Sequence, residues 1–268
     1  MKELKSNLKL IWTLSKNDFK AKFAGSFLGV LWAFVQPVVT VLVYWVVFDK
    51  ALNVGAQGTK SGIDAPFVIW LACGIVPWFY FSEVAASGTV CLIEYKYLVQ
   101  KVVFNVRALP IVKAIAGLFV HIFFVAFAFV LALIYGYTPS FYMLQVVYYS
   151  FAMLMFTVGF VYLTSSLTVF FRDLKQIVTI ILQVWIWATP IMWNYDAVSP
   201  IMPRAVQMIL KANPLYYICN GYRDALLFKV GFWEHIDITI CFWVITLLLF
   251  IFGKYVFKKL QPSFADLL

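Results

Sequence analysis

Trp32, Gln36 and Tyr44 fall in one apolar run of the chain, Gln183, Trp185 and Trp187 in another, and each run sets rings beside an amide. Residues four apart share a helix face. Such a face offers an aromatic plane to the apolar side of a sugar ring and an amide that exchanges hydrogen bonds with its hydroxyls. Aromatic residues of membrane proteins also pack and mark the interface, so a candidate path and a plain aromatic belt both stay open. The chemistry on offer is passage, not covalent change. The sequence has no glycine-rich phosphate loop, no HExxH and no GxSxG, and its 2 histidines and 4 cysteines show no metal spacing. Zinc hydrolysis and histidine-based nucleophilic catalysis have almost no raw material. No enzymatic activity and no bound cofactor are expected of this chain.

A few ionisable residues interrupt the apolar runs. His121 sits midway along one of them, where a titratable group is a functional candidate; the plainer reading is a neutral imidazole hydrogen-bonded inside a bundle. Glu83 either lines a polar path or pairs with a lysine at headgroup level. Arg172 and Asp173 share a short turn between two runs, where they either cap two helix ends or contact a partner or a substrate headgroup. No series of carboxylates crosses the runs, so a proton- or sodium-coupled carrier lacks its relay.

These residues are carried by an all-α integral membrane fold. The 268 residues are 64% hydrophobic and only 12% charged, against roughly 45–50% apolar usage in soluble domains. Six runs, about 27–48, 67–88, 111–134, 142–170, 176–194 and 236–257, are near or above the roughly 17–25 residues that cross a bilayer. The fifth is the weakest. Residues 1–23 carry six lysines, Lys16, Lys20 and Lys22 among them, with Leu4, Leu8, Ile11, Trp12, Phe19 and Phe23 at helical spacing, which predicts an amphipathic helix on the membrane surface or a solvated helix ahead of the first span. Residues 24–268 then form one transmembrane domain. No cleavable signal is evident, because the run after the surface helix is long and lacks a small-residue cleavage site. Pro37 and Pro77 lie inside spans and invite kinks.

The net charge of +9 does not mark a nucleic-acid surface, because the basic residues crowd the ends of apolar runs, where lipid headgroups lie. With the N-terminus inside, that side takes fifteen of them and the other takes six: Lys50, Lys60, Arg204, Lys211, Arg223 and Lys229. The bias predicts both termini in the cytoplasm. Between spans five and six, Pro200, Pro203 and Pro214 divide the connection into short amphipathic segments, 203–212 and 214–228. Neither can span, so they lie at the outer interface or dip in as re-entrant helices. No internal repeat is visible.

The order of short motifs resembles the membrane subunits of bacterial ABC-2 type polysaccharide exporters, the group that moves lipid-linked O-antigen, capsular polysaccharide and teichoic acid. They are Gly25-Ser26, Leu28-Gly29-x-Leu31-Trp32 with Pro37, and Gly74-Ile75-x-Pro77-Trp78. Leu98-Val99-x-Lys101-Val102-x-Phe104, Phe171-Arg172-Asp173-Leu174, Thr189-Pro190-Ile191 and Asn213-Pro214-Leu215 follow. The resemblance implies a homodimer bound to two copies of a separate ATPase that holds ATP and magnesium, in a bacterial cytoplasmic (inner) membrane. It further implies a channel lined by spans one and five and a coupling helix in segment 91–104, with Glu94, Tyr95, Lys96 and Lys101 as candidate ATPase contacts beside Arg172 and Asp173. Lys16, Lys20 and Lys22 become candidates for the lipid carrier's phosphate. The same architecture with a drug, haem or lipid as cargo is the alternative. A membrane-embedded transferase is a third reading, and it would need a cluster of carboxylates and bases that the sequence does not offer.

Overall fold

The computed structural model describes residues 2–22, 24–25, 27–58, 64–101 and 105–268. Phe23, Ser26, Lys60 and the Val102 and Phe104 end of the basic segment lie outside the described residues. Helix makes up 82% of the chain, and the described residues hold no strand, only an isolated antiparallel bridge between Gln57 and Ala65.

The lysine-rich first helix is α1, Lys2–Lys22, followed by α2, Gly29–Ala51, which opens on a 3-10 turn and closes on a π turn. Then come α3, Phe67–Thr89, two single turns α4, Cys91–Glu94, and α5, Lys96–Val99, and α6, Ala108–Ile134. The second half holds α7, Phe141–Thr168, α8, Leu174–Ala188, the turn α9, Tyr195–Val198, α10, Arg204–Ala212, and α11, Pro214–Arg223, which runs on as a π turn over Asp224–Phe228. Helix α12, Ile236–Leu260, and the terminal turn α13, Phe264–Leu267, close the chain.

Five of these helices are long and apolar enough to cross a membrane: α2, α3, α6, α7 and the stretch Phe232–Leu267 that contains α12. The bounds of α2, α3, α6, α7 and α12 follow the runs read from the sequence to within a few residues. The fifth run differs. It is helical only from Leu174 to Ala188, so at 1.5 Å per residue it reaches about 22 Å, short of a hydrocarbon core of about 30 Å. The cause is local. Thr189 precedes Pro190 and is extended (φ −99°, ψ 131°), as a residue before proline prefers.

Helix α3 is the centre of the bundle. Nearly all of it from Phe67 to Phe81 is buried, and it packs against α6, α7, α8 and α11. Helix α7 lies closest to α12: a side chain on Gly253 would run into the Gly159 carbonyl, and one on Gly159 into the Phe250 backbone. Small residues at such a crossing let membrane helices meet backbone to backbone and gain dispersion contact that lipid does not replace. Helix α2 is peripheral. Among its described residues only Val41 is buried, and aromatic contacts hold it toward its ends, Phe34 on Phe123 at 4.3 Å and Phe48 on Phe67 at 5.7 Å. Helix α1 lies across α6, with Trp12 and Phe19 on Phe119 at 5.4 and 5.6 Å, while Leu8 and Leu10 stay exposed.

Candidate functional site

The rings and amides that open the sequence reading separate in space. Trp32 and Gln36 border a cavity of about 400 Å³ between α2, α3 and α6, whose lining includes Lys22, Tyr80, Glu83 and His121. Tyr44, higher on α2, is half-buried against Phe48. On α8, Gln183 and Trp187 are exposed, but Trp185 turns inward. Its ring meets Phe81 edge-on at 5.3 Å, and its indole N–H is donated to Asn213 Oδ1 at 3.0 Å. Trp185 therefore packs within the subunit, and the exposed rim of α8 is Gln183 and Trp187.

Asn213 joins α8 to α11. Its Oδ1 also accepts the Leu215 N–H at 3.1 Å as the cap of α11, and its Nδ2 donates to Thr189 Oγ1 at 2.9 Å. Pro214 at the first helical position costs α11 no hydrogen bond. The asparagine and proline of Asn213-Pro214-Leu215 thus tie the end of one helix to the start of another.

At the α1 end of the bundle, charged residues meet across three segments. Lys113, nearly buried near the start of α6, pairs with Asp18 of α1 at 2.7 Å and with Glu94 of α4 at 2.8 Å. Tyr95 donates its hydroxyl to the same Asp18 carboxylate at 2.5 Å. Burial, and then that hydrogen bond, push the Tyr95 phenol well above its ordinary pKa, so it stays a donor. Glu94 and Tyr95 therefore clasp the turn α4–α5 to α1 from inside the chain. Lys96 and Lys101 stand exposed, with Lys101 over the Tyr97 ring at 5.6 Å. Lys22 donates to Glu83 at 2.6 Å, the lysine pairing that the sequence allowed, and Lys16 and Lys20 are exposed, with Lys16 over Trp12 at 4.9 Å.

Arg172 and Asp173 lie exposed in the turn before α8. Asp173 occupies the cap position and its carbonyl accepts the Gln176 and Ile177 N–H groups, but its side chain makes no cap bond. Backbone alone closes this helix start, which leaves both side chains facing outward.

The opposite end holds a residue that the sequence reading placed among the loop cations. Arg223 is 3% exposed. Its Nε donates to the Trp70 carbonyl at 3.2 Å, Nη1 to the Pro190 carbonyl at 2.8 Å and to Asn220 Oδ1 at 3.0 Å, and Nη2 to the Ile191 carbonyl at 2.7 Å. The guanidinium lies 3.4 Å from the centre of the Trp70 ring. No carboxylate takes part in these contacts; carbonyl dipoles and a ring face disperse the charge. Room for it comes from Gly74, where a Cβ would collide with the guanidinium. Pro190 ends α8 and so leaves the Pro190 and Ile191 carbonyls outside the helix for Arg223 to take, while the Trp70 carbonyl comes from within α3; that proline is the one signal in the sequence.

His121 is 3% exposed, with Nε2 at 2.9 Å from the Tyr222 hydroxyl and 3.3 Å from Ser150 Oγ. It is the packed, hydrogen-bonded imidazole of the plainer reading. Residue 121 lies midway along α6 and Tyr222 belongs to α11, so the network ties the depth of α11 to the middle of the bundle.

Comparison with known proteins identifies relatives over most of the chain. The O-antigen export system permease protein RfbA of Myxococcus xanthus is 27% identical over 235 residues, 88% of this chain and 84% of its own. Two proteins of the same name from Klebsiella pneumoniae are 24% and 25% identical, each over 97% of this chain and 95% of its own. The model of the ABC-2 type transporter family matches residues 9–227, from α1 through the π turn after α11, and so takes in the clasp at one end and the buried arginine at the other. By that match the chain belongs to the ABC-2 type transporter family.

Proposed function

We propose that this chain is the membrane subunit of an ATP-driven exporter that carries a lipid-linked polysaccharide of the O-antigen type across a bacterial cytoplasmic membrane. The observation that carries the reading is the end-to-end alignment with O-antigen export permeases, over 97% of this chain and 95% of theirs. The physical need agrees. Each unpaired hydroxyl of a sugar polymer costs several kcal/mol in hydrocarbon, about 4–8 on an alkane scale, so a polymer needs a lined path and an energy source.

In this reading two copies of the chain pair, and α2 with the outer face of α8, both poorly covered within one copy, line the path through Trp32, Gln36, Tyr44, Gln183 and Trp187. Helix α8 makes the sixth crossing with its short end completed by the descent of α10 and α11 as re-entrant helices, a geometry supported by the Tyr222 to His121 contact. Both termini lie in the cytoplasm. Lys96, Lys101, Arg172 and Asp173 face a separate ATPase that binds ATP and magnesium, and Glu94 and Tyr95 link that surface to α1. Lys16 and Lys20, with Lys22 beside them, bring positive charge to the headgroup layer where a phosphate-bearing carrier lies.

Depletion of the chain in cells tests the cargo. Lipid-linked polymer should build up inside while surface polymer is lost, and an ATPase subunit should co-purify with the chain. Unchanged surface polymer together with altered drug or haem tolerance would replace this reading with that of an exporter for small apolar cargo.

A further inference from the structure

Helix α2 touches α6 and α3 through Phe34 and Phe48 and stands off between them. The gap is the cavity of about 400 Å³, walled by Ala33, Pro37, Val76, Phe79, Val120 and Phe124. Its volume lies in the range of about 300–1,000 Å³ typical of pockets for small molecules. A second cavity of about 390 Å³ lies under α1, and the two share Lys22, Glu83 and Gly117. A slot whose apolar walls are interrupted by Gln36, Thr40, Tyr80 and His121 thus opens onto an ion pair beside α1. The pair is reachable, with Lys22 and Glu83 side chains 48% and 34% exposed, and an exposed pair of this kind contributes little to stability, so it can open for a ligand.

The charges choose the ligand. Around the junction stand Lys22 and Lys113 against Glu83, Asp18 and Glu94, and Lys113 is already held by Asp18 and Glu94. A group with phosphate alone would meet Lys22 but also the Glu83 carboxylate beside it. A group with both phosphate and ammonium satisfies the two at once, phosphate on Lys22 and ammonium on Glu83. We infer that the slot between α2, α3 and α6 holds one zwitterionic phospholipid, its headgroup bridging Lys22 and Glu83 and part of one hydrocarbon chain lying behind α2. The slot shares Trp32, Gln36 and Lys22 with the transport reading, but its occupant is a lipid of the surrounding bilayer, read without cargo or ATPase, so failure of the inference leaves that reading standing.

Native mass spectrometry of the chain in detergent, given equal amounts of dioleoyl phosphatidylethanolamine and dioleoyl phosphatidylglycerol, reads the site directly. The expected result is one phosphatidylethanolamine retained per chain with a preference of about tenfold. Glu83→Gln should bring the preference close to one, Lys22→Gln should weaken retention of both lipids without removing the preference, and Lys22→Glu combined with Glu83→Lys should restore part of the retention, since the dipole is reversed but present. Ala33→Trp should expel the lipid while leaving both charges. Equal retention of the two lipids by the wild type overturns the inference. So does a preference that survives Glu83→Gln, or selective retention of phosphatidylglycerol by the wild type, which marks a site for anionic amphiphiles. The two charge variants lie at a partly exposed position and keep the test valid if Ala33→Trp does not fold.

Discussion

The two ends of the bundle hold their buried cations in opposite ways. At the α1 end Lys113 sits between two carboxylates from different segments, with Tyr95 completing the group. At the other end Arg223 sits among carbonyls with no carboxylate bonded to it. Carboxylate side chains can turn away and take water, and Glu94 is 49% exposed; backbone carbonyls of Trp70, Pro190 and Ile191 cannot leave without unfolding the turn they belong to. The first arrangement suits segments that shift against each other, and the second fixes a broken helix end in place. The contrast teaches that burial of charge alone does not distinguish a joint from a pin. The freedom of the partners does.

The strongest way to break the contrast is at the pin. Arg223→Met should lower stability by about 3 kcal/mol, because the buried Pro190 and Ile191 carbonyls lose their donor and the Trp70 ring loses its cation, and thermal unfolding of the purified chain should show it. Gly74→Ala, which drives a methyl into the guanidinium, should fall the same way, and the two changes together should cost less than their sum because they disturb one contact. A fully additive pair would show that Gly74 has another role.

At the clasp, Lys113→Met should cost about 2 kcal/mol, since it leaves two acidic groups facing each other without their cation. A double-mutant cycle on Lys113→Met and Asp18→Asn should give a coupling of about 1 kcal/mol. Hydrogen exchange should then rise in α1 and in residues 91–99 but not at 189–191. Rising exchange at 189–191 as well would mean that the two ends are one unit. Midway between them, His121→Phe should cost about 1 kcal/mol, near the average for polar contacts between membrane helices, and should loosen α11 first. The smallest effect is expected from Glu83→Gln, under about 1 kcal/mol in the melting profile because its pair with Lys22 is exposed.

Which side chains work at each end was only partly legible beforehand. Apolar length and the lysine-rich amphipathic start placed α1, α2, α3, α6, α7 and α12, and the proline-marked segments placed α10 and α11, because each is a property of neighbours along the chain. The shared face of Trp32 and Gln36 was within reach for the same reason, in that four-residue spacing is written in the run, and the sequence allowed Glu83 a lysine partner without saying that it is Lys22, 61 positions away. Glu94 and Tyr95 were singled out by the family resemblance of their segment, but their inward engagement was not visible, because Asp18 is 77 positions from Tyr95 and 95 from Lys113. Trp185 was grouped with Gln183 and Trp187 by proximity. A rotation of 100° per residue puts them on different faces, and the tertiary contacts with Phe81 and Asn213 decide which face is inside.

By itself the sequence determined that the chain lives in a bilayer, where its helices begin, and which end gathers the lysines, since hydrophobic length and charge are local quantities that lipid reads directly. Pro190 ends α8 from within the sequence, whereas the tertiary structure alone decided that Arg223 is a buried pin and not a loop charge, and that Lys113 holds α1 to the turn α4–α5. Each of these rests on carbonyls or carboxylates supplied from elsewhere in the chain. The 153 positions between Arg223 and Trp70 close only when the bundle does.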